Sequence, residues 1–334
     1  MTEQDDLISA LEAQAKLGWK AASELLHPFG PVAANFSEAI RLLVHHYEQG
    51  VTIIPHPGQN HILRLMKNNT IKATYYFVTK QYRPEILQGK HPLTIQDLFE
   101  AYTPMDHAAI LSYCYLFRSL SRKIEKDEWD YVQTPLYEAL AVGACAGLCV
   151  PEIGFGFGLL GRGLRYLAFA AFLRENRRGF NEYRQHLKSR DLPFDIEFEE
   201  RMWQCNNVQV SAIILEHMGF NRSIAGQYVA AAERDTNEPT EALYGVRFRI
   251  AEALIESYME HGEIPQSCPE WVGKDLSIPI EVRAKLLADL RTVMSDRNRI
   301  EWLNKGSSSI NAQSTPEFFN TLSAGVSAKE LSPS

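Results

Sequence analysis

The sequence predicts an all-α protein, a helical bundle of two coupled lobes with the N-terminal lobe ending near Tyr102. Three observations lead there. Apolar residues recur at helical spacing along the long segments. Short polar caps and glycine or proline stops punctuate them. No segment sustains the period-two alternation of a half-buried strand. At 334 residues the chain can bury a sizeable core.

In chain order, Thr2–Leu26 carries Leu7, Leu11, Ala15, Leu17, Ala21 and Leu25 near helical spacing, so residues 1–27 read as an N-terminal helical extension. A helix over Ser37–Gln49 stops at Gly50, and Pro57 opens another whose apolar face is Ile62, Leu63, Leu65 and Met66. Thr94 and Asp97 form a capping-box variant. Helices are expected over Asp106–Lys126 and, after a break at Pro135, over Leu136–Leu148. Ala139–Leu160 has Glu152 as its one charged side chain, yet Pro151, Glu152 and several glycines divide it. Two buried helices joined by a turn are therefore expected rather than a membrane span.

Gly156-x-Gly158-x-x-Gly161 is a literal dinucleotide fingerprint. That motif needs a strand before it, and the preceding segment reads as helix and proline. A tight turn, close packing and a helix starting near Leu159 are expected instead. Arg174–Phe194 reads as a charged, mostly solvated helix. Asp106-His107 reads as a helix-start acid and a partly exposed histidine.

Glu199–Phe220 is the central core helix with its approach. Asn206 or Asn207 can cap it, Val208–Leu215 has only Gln209 and Ser211 as polar residues, and Gly219 ends it. Trp203, just before the helix, should be largely buried. An amphipathic helix with Leu243, Val246, Ile250, Leu254 and Tyr258 on one face follows, then a final helix over Ile280–Met294. Residues 28–296 form the main domain. The tail 306–334, rich in Ser, Asn, Ala and Pro, has the composition of a disordered segment.

Charge and cysteine usage narrow the function. Net charge is 34 − 41 = −7 with no long basic tract, which argues against direct nucleic-acid binding. The five cysteines are Cys114, Cys145, Cys149, Cys205 and Cys268; most sit in apolar surroundings, where a free thiol behaves as a small buried hydrophobe. The acidic, amphipathic start is unlike a secretory signal, so a cytoplasmic, reducing location is expected.

Pro28 and Pro31, Pro57, Asn68-Asn69, Trp129 and Tyr131, Gly158-Leu159-Leu160, Glu199 or Glu200, Trp203, Val210, Ser211-Ala212 and Gly219 together resemble the HDOD domains. These are degenerate relatives of the HD phosphohydrolases, and the resemblance spans about Pro28–Met294. It implies a non-catalytic regulatory module of bacterial signal transduction, a pseudoenzyme acting through a signalling protein partner. Homodimerisation stays open. Where HD proteins carry His-Asp, this chain has Gly161-Arg162, and Asn206-Asn207 stand where the family often has Asp-His. Ala231, Ala232 and Glu233 stand near its later histidines. A guanidinium reverses the charge where a cation would sit and cannot become a ligand. No cofactor and no metal are expected. Arg162, Asn206 and Asn207 would line a vestigial pocket suited to an anion or a partner's carboxylate. The alternatives are a divergent HD-type metal-dependent phosphohydrolase and a sensor of a small anionic ligand such as a nucleotide.

Overall fold

Side-chain caps set six of the helix starts in the computed structural model, which describes residues 16–88, 95–235, 244–273, 276–296 and 302–303. The start of the predicted N-terminal helix, Thr94 of the predicted capping box, Leu243 and the tail fall outside these residues. The chain opens with α1 (16–26), α2 (Ala34–Glu48) and α3 (His56–Met66). Next are α4 (Asn69–Tyr82), α5 (Pro84–Leu87) and α6 (Ile95–Ala101). The centre consists of α7 (Pro104–Ser121), α8 (Lys126–Cys149), α9 (Phe155–Leu160) and α10 (Gly163–Glu175). Then come α11 (Arg177–Arg190), α12 (Ile196–Trp203), α13 (Asn207–Met218) and α14 (Arg222–Ala232). Helices α15 (Gly245–His261) and α16 (Ile280–Ser295) complete the set. The fold is all-α. Among the described residues the sole β feature is an isolated antiparallel bridge between Ser267 and Ser277.

Side-chain oxygens at Asn68, Thr103, Asn176, Asp195, Asn206 and Asn221 accept hydrogen bonds from first-turn amides of α4, α7, α11, α12, α13 and α14. Each satisfies a donor that a helix start would otherwise leave unpaired. In α13 the exchange is reciprocal, because Gln209 Oε1 accepts the Asn206 amide at 3.1 Å. Gly219 closes α13 with φ +108°, and a Cβ there would lie 2.4 Å from the Ser37 carbonyl oxygen of α2. Only glycine meets both demands.

Helix α8 packs against α9, α10, α15 and α16, with α9 also against α7. The glycines make this possible. A Cβ on Gly158 would meet the Gly143 carbonyl oxygen at 2.0 Å, and one on Gly147 would meet that of Gly154 at 2.5 Å. Backbone therefore lies directly on backbone, and the fingerprint spacing serves helix contact. Buried apolar side chains form one connected cluster running from Ala22 to Leu303. Trp203 belongs to it, stacked on Phe172 with ring centroids 4.4 Å apart. No helix of the described residues is long and apolar enough to cross a membrane.

Four local expectations are corrected. Helix α8 runs through Pro135 without a break. The carbonyl that Pro135 leaves unpaired belongs to exposed Tyr131, where water can take it up, and Leu136, Tyr137, Ala139 and Leu140 bury the continuation. Helix α7 ends at Ser121 rather than Lys126, which begins α8. The helix expected near Leu159 is two, α9 and α10, separated at Gly161. His107 is fully buried, its Nδ1 2.7 Å from the Tyr75 hydroxyl. Burial lowers its pKa to about 3, so it is neutral in the folded protein at neutral pH.

Candidate functional site

Gly154–Leu173 carries only two charged side chains, Arg162 and Arg165, three residues apart at the start of α10. That spacing places them on one face of the helix. Both are buried, so each needs anionic or hydrogen-bonding partners. Helix α15 supplies the anions at four-residue intervals. Arg162 Nη1 lies 3.3 Å from Glu252 Oε1 and 3.4 Å from Glu256 Oε1, and Nη2 lies 3.4 Å from Glu260 Oε1. Arg165 Nη1 lies 2.8 Å from the same Glu252 oxygen. The Phe194 ring sits 5.2 Å from the Arg162 guanidinium carbon and 3.9 Å from that of Arg165. It gives both cations an aromatic face.

The network continues into the central helix. Arg165 Nε donates to Asn207 Oδ1 at 2.6 Å. The Asn207 amide and its Nδ2 donate to Glu199, with N–Oε2 2.6 Å and Nδ2 at 2.9 and 2.8 Å from the two carboxyl oxygens. Tyr183 donates a short hydrogen bond to Glu199 Oε1 and accepts from the Asp195 amide at 3.1 Å. His186 Nε2 then meets Asp195 Oδ2 at 2.7 Å. The five helices α10, α11, α12, α13 and α15 are thus tied by one chain of polar contacts.

Charge in this chain is set by burial against donors. Burial raises the Glu199 carboxyl to about 7, opposed by hydrogen bonds from Tyr183 and Asn207 and by the Arg165 charge. Tyr183 is pushed well above its usual range by burial and then by Glu199. Burial works against the Arg162 charge, but Glu252, Tyr166, Glu256 and Glu260 outweigh it and hold the guanidinium cationic. Burial also opposes ionisation of Asp195, whose carboxyl is nonetheless lowered by His186 and the Phe198 amide.

Of the three residues expected at the vestigial pocket, Arg162 and Asn207 are joined through Glu252 and Arg165. Asn206 instead caps α13 and donates to Glu200 Oε1 at 2.9 Å. The sequence reading omitted Arg165, Glu252 and Tyr183. The two cations in an otherwise uncharged stretch, and the Glu252, Glu256, Glu260 repeat, were the signals that could have found them. Asp106 serves α9: its Oδ1 accepts the Gly156 amide at 2.7 Å and its Oδ2 the Thr103 amide at 2.9 Å.

Fold and site together define an all-α protein with a buried ionic network at its centre. No family model, curated protein or solved structure matches the chain. No group of three or more potential metal ligands occurs among the described residues.

Proposed function

We infer that the chain is a non-catalytic regulatory protein of the HDOD kind, a module of two coupled lobes acting through protein–protein contacts in bacterial signalling. The observation that supports the reading is the place taken by Arg162. Where the resemblance to HD enzymes would put a metal-ligating carboxylate, a buried guanidinium faces Glu252, Glu256 and Glu260. A divalent cation entering there would meet a fixed positive charge held by three carboxylates, and α13 contributes the neutral amide of Asn207 to the same network, not a carboxylate. Such a site favours rigidity over turnover.

Hydrolysis assays test this against the phosphohydrolase alternative. Purified protein with added manganese should release no more product from bis(4-nitrophenyl) phosphate or cyclic dinucleotides than buffer does. Retention of one signalling protein from the native host, saturable and at fixed stoichiometry, is the expected positive result. Manganese-dependent hydrolysis lost in Glu252→Gln and Glu199→Gln would overturn the reading.

A further inference from the structure

A second region, on different elements from the ionic network, has the opposite electrostatic character. Between α2, the start of α4 and the end of α7 lies a cavity of about 380 Å³. Arg118, Arg122 and Lys123 line it, and no carboxylate does. None of the three makes an ion pair among the described residues. The chain as a whole carries net charge −7, so this local group of three cations is opposite in sign to the molecule's overall charge. Their position favours the carbonyl end of α7, whose dipole cations stabilise. That accounts for their place on α7 but not for what faces them.

Other residues of the lining add to this. Thr70, in the first turn of α4, accepts a hydrogen bond from Arg118 Nη1 at 3.1 Å, which holds the half-buried guanidinium against the cavity. The amino-terminal turn of α4 adds its partial positive charge on the same side. Phe36 and Tyr115 form an aromatic wall, their ring centroids 4.9 Å apart. Tyr115 is fixed in turn, because its hydroxyl accepts the Ala33 amide at 3.1 Å and donates to the Pro31 carbonyl at 3.3 Å. The cavity therefore offers a fork of donors beside two aromatic rings inclined at 52° to each other. Guanidinium donors suit phosphate oxygens, and rings pack on rings. The volume falls in the lower part of the range for small-ligand sites, roughly 300–1,000 Å³.

We propose that this cavity binds a ring-bearing phosphate monoester of mononucleotide size, its phosphate on Arg118, Arg122 and Lys123 and its ring against Phe36 and Tyr115. The test is calorimetric titration of the full chain at low ionic strength with AMP, GMP, adenosine and orthophosphate. Arg122→Glu/Lys123→Glu is the main variant, since both side chains are exposed and circular dichroism can verify its fold. Tyr115→Leu probes the ring wall. A nucleotide should bind at least tenfold more tightly than adenosine or orthophosphate, and added salt should weaken it. The double charge reversal should cost at least another tenfold, and Tyr115→Leu should weaken the nucleotide while leaving orthophosphate unchanged. No binding of either nucleotide, equal affinity for orthophosphate, or affinity indifferent to the charge reversal overturns the proposal. These readouts do not depend on the partner or on the absence of hydrolysis, so the two readings fail separately.

Discussion

Glu199 shows how one buried side chain makes stability depend on pH. Its carboxyl is raised by burial to about 7 in the folded protein, against an unperturbed value of 4.5. The native state therefore holds a proton that the unfolded chain releases, between about pH 4.5 and 7. The resulting stabilisation is fully present below that window and is lost as pH rises through it, amounting to roughly 3 kcal/mol. Glu199→Gln keeps the shape and cannot ionise. Its stability relative to the parent should rise across the window in urea denaturation, and a pH-independent difference would contradict the assignment. His107 acts with the opposite sign, since its lowered pKa costs stability as pH falls below its unperturbed 6.5, so the comparison must be made between variants at each pH. Arg162→Met leaves Glu252 facing Arg165 alone and should cost about 3–5 kcal/mol, the range for stripping a buried ion pair of one member. Trp203→Ala should cost a similar 3–5 kcal/mol by emptying the stack on Phe172. A loss under about 1 kcal/mol for either would place that side chain outside the packed core.

Among the helices, the contact of α8 with α9 is the most exacting, because no side chain separates the two backbones at Gly143 and Gly158. Gly158→Ala should destabilise by about 3 kcal/mol, the upper end for overpacking, since the opposing atom is a carbonyl oxygen that cannot rotate away. Gly226, within α14, has no neighbour within 4 Å of a Cβ, and Gly226→Ala should be neutral or gain about 0.5–1 kcal/mol. Urea midpoints for the two variants check the contrast, and equal effects would refute the close approach. The same elements show what the sequence could reveal. Helix α13 was legible because Asn206 and Gln209 mark its start and Gly219 its end within one continuous stretch of sequence. Pro135 misled because the outcome depended on which face its orphaned carbonyl occupied. The network was only partly legible. Arg162 and Glu252 lie 90 residues apart, and each alone resembles an ordinary helix-surface charge.

For the whole molecule, the ionic network and the cationic cavity divide two kinds of chemistry between separate parts of one helical core. The first joins α10 to α15 and, through Asn207 and Glu199, to the central helix and its approach. Its charges are met from within the chain, and two carboxylates, Glu256 and Glu260, bring it towards solvent. The second lies where α2, α4 and α7 meet, with cations that no carboxylate of the described residues pairs. The two proposals are compatible because they rest on separate residues, and a cation at Arg162 would have to sit beside a fixed guanidinium charge. The most direct measurement is elemental analysis of protein purified without chelator, by inductively coupled plasma mass spectrometry. The account predicts manganese, iron, zinc and magnesium each far below one ion per chain. One or two tightly held ions per chain, released only by chelator and lost in Glu252→Gln, would contradict it.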